Sequence, residues 1–128
     1  TGGRARGRPL GPRVSWSCVC KEGGRAWSVA KPEPDLPNYR AKSYYGVDAN
    51  GQHLYVFNDN GARHGLWYKT KSQGASWSEA KQFYHENNRN SYPTLIEDKP
   101  GEWLAVWDSS NEPDKTRTSI RFGRLKVE

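Results

Sequence analysis

Laid over itself at a displacement of 50 residues, the chain repeats. Trp27 and Ser28 fall on Trp77 and Ser78, and Ala30 and Lys31 fall on Ala80 and Lys81. Gly24 meets Gly74, and Gly51 meets Gly101. Leu54, Tyr55, Val56, Phe57 and Asn58 meet Leu104, Ala105, Val106, Trp107 and Asp108. All these matches share one displacement without a gap. A repeat of this length is one supersecondary unit, and a single unit leaves an apolar face open. Stacked neighbours are therefore what makes the core.

Within each copy the residues read as strands. Val14 to Cys20 alternates Trp16 with small residues, and its counterpart, Gly65 to Thr70, carries Leu66 and Tyr68. Both run into a glycine-containing turn and leave it through Trp27 or Trp77. A second hairpin follows, turning at Asn50-Gly51 in the first copy and at Lys99-Pro100-Gly101 in the second. Asn-Gly is the strongest short hairpin signal, because both residues tolerate positive φ. No segment sustains an apolar period of 3.6. The expected fold class is all-β, a partial six-bladed β-propeller of about two four-stranded antiparallel blades plus an extra strand. The repeat divides the chain into a basic arm at 1–13, blades at about 14–63 and 64–118, and a final strand at 119–125. A plain β-sandwich with accidental repetition is the alternative.

Composition narrows the function classes. Apolar residues make up 34% and aromatic residues 12%, with six Trp and seven Tyr, which suits strands burying a few large rings. Arg4, Arg6, Arg8 and Arg13 lie in the first 13 residues with no acid among them; without these four the net charge falls from +6 to +2. A nucleic-acid partner would rest on this arm alone, and a solvated arm explains it as well. No apolar run is long enough to span a bilayer, and no signal peptide opens the chain. Cys18 and Cys20 point to one side of a strand, cannot easily bridge each other, and are expected to be buried, inert thiols. No metal site and no cofactor is implied.

The turn before each repeated Trp resembles the Asp-box (BNR) repeat of bacterial sialidases, Ser-x-Asp-x-Gly-x-Thr-Trp. The two copies here run from Cys20 to Trp27 and from Thr70 to Trp77, keeping Gly24 and Trp27, and Gly74 and Trp77, at the family spacing. Both lack the Asp, having Glu22 and Ser72 there. Leu36-Pro37-Asn38, Arg63-His64-Gly65-Leu66 and Asn90-Ser91-Tyr92-Pro93-Thr94-Leu95 are similar to further segments of that family. The resemblance covers about residues 14 to 125 and fits the C-terminal blades. It implies that the box turns lie on the outer rim, so Trp27 and Trp77 are not site residues. It also implies a secreted or periplasmic protein.

In this family a tyrosine is the nucleophile, because a carboxylate would be repelled by the substrate's own carboxylate. A glutamate removes the phenol proton, an aspartic acid protonates the leaving group, and three arginines clamp the substrate carboxylate. The resemblance makes Tyr92 the nucleophile and Arg63 the third arginine, 29 residues earlier. Each has a plain alternative, a packed strand ring and a solvated loop arginine. A further clamp arginine is sought near the start of the chain, at Arg6 or Arg8, with Arg40 a weaker candidate. Asn58 and Asp59 end an inner strand and either contact a glycan or make a turn. Asp48, Glu97, Glu102 and Asp108 read as turn or solvated acids. The family's acid, base and first arginine precede the matched segment, so the chain is expected to be a piece of a sialic acid-cleaving enzyme, inactive alone. The other expectation is a lectin-like propeller for acidic glycans, assembled from several copies.

Overall fold

The computed structural model describes residues 13–110 and 117–128. The basic arm up to residue 12, with Arg6 and Arg8, lies outside the described residues. The described residues form eleven strands in order: β1 (Val14–Ser17), β2 (Cys20–Lys21), β3 (Ala26–Trp27), β4 (Lys31–Pro37), β5 (Tyr44–Val47), β6 (His53–Asn58), β7 (Gly65–Lys71), β8 (Lys81–His85), β9 (Arg89–Lys99), β10 (Glu102–Ser110) and β11 (Arg117–Lys126). Every pairing is antiparallel. Among the described residues there is no α-helix, only a 3-10 turn at Glu22–Gly24. None of them forms a helix long and apolar enough to cross a membrane.

The central sheet is a complete blade of order β5-β6-β7-β8. On one side stands β1 paired with β4, joined by the small β2–β3 ribbon; on the other stands β9-β10-β11. The described residues form an all-β stack of propeller blades, one complete and two partial, without closure into a ring. The central blade runs from Tyr44 to His85, across the 63/64 division drawn from the repeat. A repeat fixes the length of a unit but not where along the chain the unit begins. Hydrogen bonding sets that phase.

Strand alternation divides each sheet into two apolar faces. Tyr55 and Phe57 of the central blade pack with Leu36 of β4, and Trp67, Trp77 and Ala80 close in around them. On the opposite face Leu54, Val56, Leu66 and Tyr68 pack against Leu95, Trp103, Ala105, Trp107 and Leu125 of the last sheet. Burying each such side chain contributes about 1.5–3 kcal/mol, so these two inter-sheet layers dominate stability.

The two box turns close alike. Ser78 Nα–H donates to the Thr70 carbonyl at 2.8 Å, while Ser78 Oγ accepts from Thr70 N at 3.0 Å. Ser28 repeats both contacts with Val19, at 2.9 and 2.8 Å. The serine after the tryptophan thus does the closing. The first turn closes one residue further upstream, on Val19 rather than on Cys20, the counterpart of Thr70, and it uses three positive-φ residues, Glu22, Gly23 and Gly24, where the second uses Gly74. This ribbon stands off the stack, which leaves Cys18 and Cys20 exposed thiols, contrary to the buried pair expected from sequence.

Candidate functional site

Chain segments from three sheets converge at one end of the stack. The link from β4 to β5 carries Arg40, the β6–β7 loop carries Arg63, and the start of β9 carries Tyr92. Arg63 Nη2 donates to the Arg40 carbonyl at 2.9 Å, and the Arg63 guanidinium carbon lies 5.7 Å from the centre of the Tyr92 ring. A cation over an aromatic face at that range is attracted by the ring quadrupole. Arg63 Nη1 is buried and has no hydrogen-bond partner.

These three residues share a backbone anomaly. Arg40 has φ +61°, Arg63 +61° and Tyr92 +57°; the remaining non-glycine residue with positive φ among the described residues is Glu22 in the first box turn. For a bulky L-residue the left-handed region costs about 1–2 kcal/mol. Strain of that size persists only where surrounding contacts enforce it, and here they are visible. Arg63 N–H is held by the Asn60 carbonyl at 3.2 Å and by Asn60 Oδ1 at 3.1 Å, and the Arg63 carbonyl accepts from Asn90 N at 2.7 Å. Asn38 Oδ1 accepts from Ala41 N at 3.1 Å, turning the chain around Arg40.

Tyr92 stands in a β-bulge. Thr94 pairs with Val106 and Ser91 with Asp108, so Tyr92 and Pro93 together oppose Trp107. A bulge re-aims a side chain, and this one leaves the Tyr92 ring half out of the sheet. Lys42, on the link from β4 to β5, pins the bulge, its Nζ donating to the Pro93 carbonyl at 2.9 Å and to Thr94 Oγ1 at 3.0 Å. Beside the ring is a hollow of about 330 Å³ lined by Tyr92, Val106, Trp107, Asp108 and Ile120.

Asn90 is the hub beneath the site. It is 0% exposed. Its Nδ2 donates to the carbonyls of His64 (3.2 Å) and Asn88 (3.0 Å), and its Oδ1 accepts from Trp107 Nε1 at 3.1 Å. Its carbonyl accepts from Asn58 Nδ2 at 2.7 Å, which also donates to the Gly65 carbonyl at 2.8 Å. Asn58, sought as a glycan contact, is 2% exposed, and its amide hydrogens are committed inward. It ties the Arg63 loop to the strand bearing Tyr92. Asn90 and Lys42 were not singled out from sequence; the position of Asn90 two residues before Tyr92, at a strand start, is the one local signal for it.

The acids separate by role. Asp48 Oδ1 accepts from Asn50 N and Gln52 N, each at 2.9 Å, and so closes the Asn-Gly hairpin. Glu97 Oε1 accepts from Ala49 N at 2.9 Å, and Glu102 lies 3.4 Å from the Arg124 guanidinium. Asp108 lies inside β10, where it lines the hollow beside Tyr92 rather than a turn. Near the candidate site, Glu86 pairs with Arg121 at 3.2 Å and accepts from the Tyr84 hydroxyl at 2.8 Å. Burial, reinforced by the hydrogen bond to Glu86 and its charge, pushes the Tyr84 phenol above its usual range.

The structure therefore brings Arg40, Arg63 and Tyr92 together, places Asn58 beneath them, and does not describe Arg8. Comparison with curated proteins and with solved structures returns no match in either set. A family model described as a BNR repeat-like domain matches residues 4–122, nearly the whole chain, and the chain belongs to that family.

Proposed function

We propose that this end of the stack is the clamp-and-nucleophile half of a sialidase-type site, and that the complete enzyme removes terminal sialic acid from glycoconjugates. The observation that carries the reading is the Arg63–Tyr92 contact at 5.7 Å, made by two residues both held in left-handed backbone. A substrate carboxylate would pair with the outward side of the Arg63 guanidinium, which keeps donor hydrogens beyond the one given to the Arg40 carbonyl. Such a charge-assisted bond is roughly twice as strong as a neutral one. Tyr92, neutral as a phenol, would then approach the anomeric carbon without the repulsion a carboxylate nucleophile would meet. Arg40 contributes its carbonyl to orient Arg63.

The two proton transfers need a carboxylic acid and a carboxylate base. Asp48, Glu86, Glu97 and Glu102 are engaged in turns and ion pairs, and Asp108 is the one acid lining the hollow beside Tyr92 where the chemistry needs two carboxyls, so the chain alone is read as a half-site. The test is titration with a simple sialoside, followed by NMR, alongside a fluorogenic sialoside assay. The chain should bind weakly through the Arg63 end without turnover. Arg63→Lys should weaken binding about tenfold or more, since a lysine cannot reproduce the planar fork. Tyr92→Phe should leave affinity nearly unchanged. Unaltered affinity in Arg63→Lys, or robust turnover by the chain alone, would sink the half-site. Binding without turnover in the complete protein would make it a lectin-like module instead.

A further inference from the structure

The first strands of the two largest sheets lie edge by edge. β5 ends the order β5-β6-β7-β8, and β9 ends the order β11-β10-β9. Two contacts tie these edges together. Ala49 N–H donates to Glu97 Oε1 at one end, and Lys42 Nζ reaches Pro93 and Thr94 at the other. The Lys42 contact lies at the Arg63 end of the stack, because Pro93 directly follows Tyr92. Sheets in this chain pack through their faces, so a further blade would cover a face and leave this edge open.

Charge at the Lys42 contact is unbalanced. An ammonium carries three donor hydrogens. Lys42 gives one to the Pro93 carbonyl at 2.9 Å and one to Thr94 Oγ1 at 3.0 Å, both neutral acceptors. It forms no salt bridge among the described residues, whereas Arg121 is answered by Glu86, and Arg124 by Asp98 and Glu102. Lys42 nevertheless stays exposed. Tying down a long lysine stem costs side-chain entropy, which a solvated surface lysine keeps. Here two contacts fix the ammonium against the strand that bears Tyr92, and one donor and the whole charge are left over.

We infer that Lys42 is a specificity-determining cation, reading a second acidic group on the glycan beside the terminal sialic acid. The inference rests on the half-site reading, in which Arg63 takes the substrate's own carboxylate. With that charge answered, a second fixed cation at the same end of the stack complements a second anion. A point charge with rotatable donors suits either source of it, the carboxylate of a neighbouring sialic acid or a sulfate ester on the next sugar. Glycans with two adjacent acidic groups are then the preferred ligands.

NMR titration of the full chain compares a methyl sialoside with a methyl disialoside, and a sialyl-galactoside with its sulfated form. At low salt at least one doubly acidic probe should bind about three- to tenfold tighter than its singly acidic counterpart, and the pair showing the gain names the source. The gain should shrink in about 0.5 M NaCl, where exposed charges are screened. Lys42→Met should bring each pair to equal affinity, and Lys42→Arg, which keeps the charge, should retain most of the gain. A purely structural pin would lower all affinities together and leave the ratios as they were. Ratios near one in the unsubstituted chain, a gain that survives Lys42→Met, or a gain lost equally in Lys42→Arg would overturn the inference and leave the half-site standing. Failure of the methyl sialoside to bind, or binding indifferent to Arg63→Lys, would remove the half-site and this inference together.

Discussion

Replacing Asn90 with alanine isolates the residue that holds the candidate site together. The side chain makes three hydrogen bonds, to the His64 and Asn88 carbonyls and from Trp107 Nε1. Their loss is unequal. The His64 carbonyl still accepts from Glu86 N at 3.2 Å, and Asn88 is only half-buried, so water can replace the lost donor there. Trp107 is 4% exposed, and its indole N–H would be left without an acceptor. An orphaned buried donor costs about 1–3 kcal/mol, and two replaceable bonds add about 1 kcal/mol between them. With a small void left by the amide, the expected loss is about 3–4 kcal/mol, a large share of the 5–15 kcal/mol that typically stabilises a domain. Urea unfolding followed by tryptophan fluorescence should show a lower midpoint at an unchanged slope. A loss below about 1 kcal/mol would refute the assignment of Asn90 as the hub. Asn90→Asp sharpens the test. It keeps the acceptor for Trp107 but turns a carboxylate oxygen towards two carbonyls. Burial and those carbonyls would raise the folded pKa above the unfolded value of about 3.9. The folded state then binds the extra proton, so the penalty is absent below about pH 3.9 and grows as pH rises through the folded pKa. Destabilisation that deepens towards acid pH would contradict this.

Other outcomes follow from the same contacts. Tyr92→Asn should hold stability level or raise it by up to about 1 kcal/mol, because Asn tolerates the left-handed backbone, while removing the ring from Arg63; a loss above 2 kcal/mol in urea unfolding would mean the ring's packing outweighs its strain. Lys42→Met should cost about 0.5–1.5 kcal/mol and raise amide exchange around Pro93 and Thr94, whereas unchanged exchange would show that the bulge holds without its pin. Ser78→Ala should cost about 1 kcal/mol through loss of the Thr70 N–H acceptor, measured by thermal unfolding, and more than Ser28→Ala on the exposed first turn. Burial raises the phenols of Tyr44, Tyr45 and Tyr84 above 10.0, with Glu97 adding to the first and Glu86 to the last. The folded state therefore retains protons that the unfolded chain releases, so stability should decline as pH rises beyond about 10; Tyr44→Phe should flatten that decline in denaturation measured across the alkaline range.

Much of the fold is legible in the residues. Alternation, the Asn50-Gly51 turn and the match of Trp27 with Trp77 are local properties, and a strand or hairpin is chosen by local sterics and side-chain polarity. The candidate site was legible only in part. Arg63 and Tyr92 were reached through their motifs, but their contact depends on the β6–β7 loop and the start of β9 emerging at the same end of adjacent sheets. Asn58 looked like a polar residue at a strand end, and nothing in its neighbours announced that both amide hydrogens would be drawn inward by Gly65 and Asn90.

Sequence by itself determined the unit, its length of fifty residues, its all-β character and the residues able to make its turns. Only tertiary structure decided where one blade stops and the next begins, which apolar faces are covered, and which residues carry left-handed backbone. The physical reason is that a periodic pattern is unchanged by sliding along itself, so it carries no phase. Phase, cover and strain are set by hydrogen bonds and packing between segments tens of residues apart, which no single stretch of chain encodes.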